Sequence, residues 1–219
     1  MAQLTFVRHG QANTGARDEA SYDRLSDLGH QQARWLGEYL HQTGDHYQRV
    51  YCGTLQRHIE TAESMGAATF GEITVDPRLN EFPYFSLEQA MQAQHGLAPP
   101  TSREEFAAHL PQVLAAWASD SLENVDESFG DFAARVSDVT ADIAAGKGRA
   151  LVITSGGLIS TVMRETLRLE IDGWAQLCLA IMNSSVHRWQ MLLERPMLTQ
   201  FNAVPHLETP ERHYAQTHI

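Results

Sequence analysis

Two cysteines in 219 residues, Cys52 and Cys178, are too few for a disulfide framework. That scarcity fits a reducing compartment, and each thiol reads as a small buried apolar side chain. Positive charge is scarce too: 16 Lys and Arg stand against 27 Asp and Glu, a formal net charge of −11. Such a field repels nucleic acid and acidic membranes at long range, so a phosphorylated ligand needs a local cluster of arginines. No apolar run approaches the about 20 residues of a membrane span, and the N-terminal MAQLTFVRHG has neither the basic nor the apolar part of a signal peptide. A cytoplasmic protein with no nucleic-acid partner and no membrane partner is expected; a homo-oligomer is compatible with the sequence. None of the 11 histidines pairs with another at metal-ligand spacing such as His-Glu-x-x-His, so neither a metal nor any other cofactor is expected.

What the chain does contain is 43% hydrophobic residues, enough for a sizeable core and one domain over residues 1–219. Short apolar runs at Leu4, Phe6 and Val7, at Val50-Tyr51-Cys52 and at Leu151-Val152-Ile153 each end in turn residues and read as strands of one parallel sheet. Between them, Ser26 caps a helix whose apolar side includes Leu28, Leu36 and Leu40, and Thr54 caps another reaching about Met65. Strands alternating with helices predict an α/β fold, a three-layer α/β/α sandwich around a mostly parallel central sheet. Residues 86–145 carry only helical signals, with Phe106, Leu110, Val113, Leu114 and Trp117 on one stripe and Phe129, Phe132, Val136, Val139 and Ile143 on another. This predicts a helical insertion serving as a lid or flank, with a loop at residues 95–100 and a stop at Gly146-Lys147-Gly148.

Ligands of open α/β sheets bind beyond the carboxyl ends of the strands. Arg8-His9-Gly10 follows the first strand, Arg57 sits one turn into the helix after the second, and Ser155-Gly156-Gly157 follows the third. If these strands are neighbours, two guanidiniums, one imidazole and a helix N-terminus share a pocket suited to a phosphoryl group. Taken singly, each feature is equally an ordinary one: a hydrogen-bonded His, a solvated Arg, a Gly-Gly turn. A serine nucleophile is disfavoured, since Gly-x-Ser-x-Gly requires glycine where Ile153 stands.

The segments LTFVRHGQA, LSDLGHQQA, CGTLQRHIETA, RLNE, ESFGDFAARV, LVITSGG and FNAVPHLE, in this order and spacing, resemble the histidine phosphatase superfamily, the phosphoglycerate-mutase-like enzymes, over nearly the whole chain. The most specific element is Leu-x-Arg-x-x-x-Thr-Ala at Leu55 to Ala62. The resemblance implies a metal-independent phosphatase acting on a small phosphorylated substrate. His9 is then the nucleophile that accepts the phosphoryl group, Arg8 and Arg57 hold its oxygens, and Glu81 is the proton donor to the leaving group. Physical chemistry agrees: neutral imidazole is nucleophilic near pH 7, and fixed guanidiniums neutralise phosphoryl oxygens without reorganising. Gln11 stands where relatives are often acidic and either touches the pocket floor or serves packing.

One position departs from the pattern. Relatives usually carry His where this chain has Ser155, which implies slower turnover, or a catalytically impaired phosphate-ligand binding module of the same fold. The Ser155 hydroxyl and the N–H groups of Gly156 and Gly157 are expected to bind phosphoryl oxygen, with Ser155→Ala weakening phosphate binding by about 0.5–1.5 kcal/mol. His58, beside Arg57, is a candidate to fill the missing role. A mutase is less favoured, since residues 86–145 lack paired arginines near a Tyr. The stretch Phe82-Pro83-Tyr84-Phe85 and the insertion are expected to frame the pocket, and their aromatics suit an apolar or ring-bearing leaving group or simply belong to the core.

Overall fold

The computed structural model describes residues 3–16, 18–192 and 195–218. Among them lie the strands β1 (Gln3–Arg8), β2 (Arg49–Cys52), β3 (Ile73–Val75), β4 (Arg149–Thr154), β5 (Val186–Leu192) and β6 (Arg195–Ala203). The helices are α1 (Glu19–Tyr22), α2 (Asp27–Gln42), α3 (Gln56–Ser64), α4 (Tyr84–His95), α5 (Arg103–Ala118), α6 (Phe129–Ala145), α7 (Gly156–Leu167) and α8 (Ile171–Ala180). One sheet runs in the order β3-β2-β4-β1-β5-β6. Its first four strands are parallel, while β5 runs antiparallel to β1 and β6 to β5.

This order makes the three strands read from sequence adjacent in space. Arg8 lies opposite Thr154 and Cys52 opposite Ile153, so the carboxyl ends of β1, β4 and β2 open side by side. Beyond their first residues β1 and β4 are wholly buried, as strands covered on both faces must be. On one face Val7, Val50, Leu151 and Ile153 pack with Ala33, Leu36 and Leu40 of α2 and Ala62 of α3. On the other, Leu4, Phe6, Ala150 and Val152 pack with Val136, Val139 and Ile143 of α6 and Leu158, Ile159 and Val162 of α7. Helices on both faces complete the three layers. No helix among the described residues is long and apolar enough to cross a membrane.

Ser26 caps α2 as expected, its hydroxyl accepting from Gly29 N at 3.0 Å. Thr54 does not cap α3. Leu55 occupies the cap position of that helix, and its first N–H groups, from Gln56 and Arg57, donate to the Asp23 carboxylate at 3.0 and 3.2 Å. A full negative charge suits the positive end of the helix dipole better than a hydroxyl does. Thr54 is turned away to Asn80, whose Nδ2 donates to its Oγ1 at 2.6 Å.

Among the buried imidazoles outside the cavity described below are His187, beside the Ser185 hydroxyl at 2.9 Å, and His206, beside that of Ser184 at 2.8 Å. Burial, helped by Arg8 for the first and Arg212 for the second, pushes each down to about 3. The unfolded chain therefore gains protons below about pH 6.5 that the folded protein refuses until near pH 3. Stability should be level above pH 6.5 and fall as pH drops from there, by about 1.4 kcal/mol per pH unit for each such histidine. Melting temperatures recorded from pH 8 to pH 4 test this; an unchanged value between pH 7 and pH 5 would contradict it.

Candidate active site

A cavity of about 460 Å³ opens where β1, β2 and β4 end, and Arg8, His9, Gln11, Arg57, Glu81 and Gly156 all line it. Long-range bonds hold the loop after β1. His9 N donates to Thr154 O (2.9 Å), His9 O accepts from Ser184 N (3.2 Å), and Gly10 N donates to Thr61 Oγ1 (3.1 Å), a hydroxyl fixed within α3 by donating to Arg57 O (2.7 Å).

The His9 ring is fixed by a 2.7 Å bond between Nδ1 and the Gly10 carbonyl. A carbonyl only accepts, so Nδ1 carries the proton and Nε2 the lone pair. Burial, reinforced by Arg57, Arg8 and His58, holds this imidazole well below its ordinary value. A neutral imidazole is the consequence, across neutral and mildly acidic pH.

The two guanidiniums are anchored differently. Arg8 Nη1 donates to the carbonyls of Ile181 and His218, tying the site to the C-terminal segment. Arg57 Nη1 donates to Glu19 Oε1 at 2.9 Å and Asp23 Oδ1 at 3.0 Å, and the Tyr22 ring lies 5.0 Å from its guanidinium carbon. Arg8 Nε and Arg57 Nε are buried without a protein partner among the described residues. Buried donors demand an acceptor, and both residues line the cavity.

Glu81 accepts from Gly157 N at 2.9 Å through Oε2 and from Phe82 N at 3.1 Å through Oε1. Burial raises its pKa, against the pull of these N–H groups and of both arginines. A carboxyl displaced upward can hold a proton for delivery. Gly157 makes the contact possible: a Cβ there would fall 2.2 Å from Glu81 Oε1 and 2.2 Å from the Phe82 ring.

The expectation for Ser155 is corrected. Its hydroxyl is buried and 2.6 Å from His58 Nε2, away from the cavity-lining residues. Nor does Gly157 offer its N–H to a ligand, since Glu81 takes it. The reason is the cost of a buried imidazole without a partner, which Ser155 relieves. His58 is kept neutral by burial and by Arg57, and its ring centroid lies 5.8 Å from that of His9. Its Nδ1 presses on Gly53, where a Cβ would lie 2.2 Å away. His58 is buried and outside the cavity lining, beside the His9 ring. Ser155→Ala should therefore leave inorganic phosphate affinity within about twofold and destabilise the fold by about 1–3 kcal/mol, through the orphaned imidazole. Calorimetric titration and denaturant unfolding of one variant measure both; a tenfold loss of phosphate affinity would restore the rejected role.

Gln11 borders the cavity, but its Oε1 accepts from the Ser26 hydroxyl at 2.8 Å and its backbone N–H donates to Gln32 Oε1 at 2.7 Å, which makes it chiefly a joint between the β1 loop and α2. Sequence reasoning missed Glu19, Tyr22 and Asp23, and the Cys178, Asn183 and His218 that complete the wall. Glu19 meets Arg57 across 38 positions and His218 meets Arg8 across 210, separations no local pattern encodes.

Comparison with known proteins adds to this geometry. The description of the histidine phosphatase superfamily (branch 1) matches residues 4–203. The Danio rerio fructose-2,6-bisphosphatase TIGAR B is 39% identical over 89 residues, 36% of this chain and 33% of that protein, so the match spans about a third of that relative's length. A mycobacterial glucosyl-3-phosphoglycerate phosphatase, solved in complex with VO3, is 26% identical with a TM-score of 0.66, covering 92% of this chain and 99% of that one. An Entamoeba histolytica phosphoserine phosphatase in complex with phosphoserine shares the fold at 18% identity and a TM-score of 0.70, covering 94% of this chain and 100% of that one.

Proposed function

The chain belongs to the histidine phosphatase superfamily, and from that premise we propose that it hydrolyses a phosphate monoester through a phosphohistidine formed on His9 Nε2. One observation carries the reading: the Gly10 carbonyl occupies Nδ1, which leaves the Nε2 lone pair in a cavity that also holds two guanidiniums and a carboxyl of raised pKa. In the first step Nε2 attacks phosphorus and the ester P–O bond breaks, while Glu81 gives its proton to the leaving alkoxide. Arg8 and Arg57 meanwhile neutralise the phosphoryl oxygens. In the second step Glu81, now a carboxylate, takes a proton from water as the water oxygen bonds to phosphorus; the P–N bond breaks, its electron pair returns to Nε2, and inorganic phosphate leaves. Both groups return to their starting protonation states.

A second reading, a phosphate-binding module with impaired turnover, draws on the neutralisation of Arg57 by two carboxylates. Retention of His9 and Glu81 with tuned ionisation favours the enzyme, since binding alone needs neither. The leaving group is assigned from the outer wall, where Tyr22, Tyr84, Phe85 and Phe106 line the cavity. Their rings suit an apolar or ring-bearing alcohol. A panel of phosphate monoesters tests this: kcat/KM should be higher for aryl and ring-bearing esters than for small charged ones of equal leaving-group acidity, and the reverse order would contradict the assignment.

A further inference from the structure

Resting on this phosphatase reading, we propose that Glu19 competes with the phosphoryl group for Arg57, sets the affinity of the pocket for phosphate anions and thereby governs release of the inorganic phosphate product. Arg57 Nη1 is shared by two carboxylates that differ in kind. Asp23 is fixed, because its oxygens also accept the Gln56 and Arg57 backbone N–H groups, and its side chain is 21% exposed. Glu19 has no such second tie among the described residues: there its carboxylate bonds Arg57 alone, its side chain is 45% exposed, and it projects from the four-residue helix α1.

Position gives Glu19 its leverage. It lines the cavity that holds His9, Arg8 and Glu81, and also an adjoining one of about 990 Å³ formed with Asn80, Phe82, Phe85 and Arg135. A side chain on that boundary can leave Arg57 without disturbing the fold. The exchange is nearly balanced, because Arg57 loses a carboxylate oxygen as it gains a phosphoryl oxygen, and a Glu19 that remains nearby repels the dianion. Tight binding of phosphate is thereby prevented in a pocket where two guanidiniums alone would retain the product. Asp23 keeps Arg57 in place throughout.

The test titrates inorganic phosphate calorimetrically into the wild-type protein and into Glu19→Gln, which keeps the length and a hydrogen-bond acceptor but removes the charge. Phosphate should bind the variant about tenfold more tightly, its inhibition constant in turnover should fall by the same factor, and kcat should not rise. A structural role for Glu19 predicts the opposite, because loosening Arg57 weakens phosphate. Equal or weaker binding in Glu19→Gln, with the wild type binding phosphate, overturns the role of Glu19 and leaves the phosphatase reading intact. Failure of both proteins to bind phosphate at millimolar concentration overturns the phosphoryl site itself, and this inference with it.

Discussion

Replacing His9 by alanine is expected to lower kcat by at least about a thousandfold, since the nucleophile and its covalent intermediate are lost together. No other group among the described residues that line or adjoin the cavity stands ready to replace it. His58 is buried, spends Nε2 on Ser155 and lies outside the cavity lining. Cys178 does line the cavity, but burial pushes its thiol up to about 12, so almost no thiolate exists near neutrality. The loss should come without collapse of the phosphate site, because the guanidinium anchors are Ile181, His218, Glu19 and Asp23 rather than the His9 ring. Steady-state kinetics with phosphate titration of the same variant check both halves. Turnover within tenfold of wild type would exclude His9 as the nucleophile.

Glu81→Gln should cost about 10²–10⁴ in rate for alkyl phosphates. The penalty should shrink markedly for esters whose leaving alcohol is acidic, such as p-nitrophenyl phosphate, because such a group departs without a proton. The pH profile carries the same information. Burial raises the Glu81 carboxyl, so its proton remains available at higher pH than that of an ordinary carboxylate, and activity should decline on the alkaline side as that proton is lost. In the Gln variant this limb should vanish. His9 sets the other side: its lowered pKa puts the acid limb below about pH 6.5. An unchanged alkaline limb in Glu81→Gln, or equal penalties for alkyl and nitrophenyl esters, would remove Glu81 from the proton path.

How far the sequence reveals this site follows from what each residue interacts with. The central strands were legible because β1 and β4 are buried on both faces and therefore read as unbroken apolar runs. The edge strands and the antiparallel pair were not. β6 is exposed along much of its length, β5 mixes His187, Arg188 and Gln190 with apolar residues, and the parallel edge strand β3 is three residues long. His9 and Arg57 could be placed because each sits next to a strand end. Glu81 could not be placed from physics alone, since its raised pKa arises from burial beneath α7, on an element 76 positions from it in the chain. Ser155 was misread for a related reason: a polar residue at a strand end looks like a ligand donor until the buried imidazole it serves, 97 positions earlier, is seen. The same blindness hid Glu19, whose acidity points to solvent in the sequence and to Arg57 in the fold.

The central claim is the covalent step, and rapid acid-free quenching after mixing with ³²P-labelled substrate tests it most directly. Label should accumulate on the protein within one turnover as an acid-labile, base-stable adduct, map to the peptide containing His9, and be absent from His9→Ala. Label on any other residue, or an adduct that survives in His9→Ala, would contradict the account.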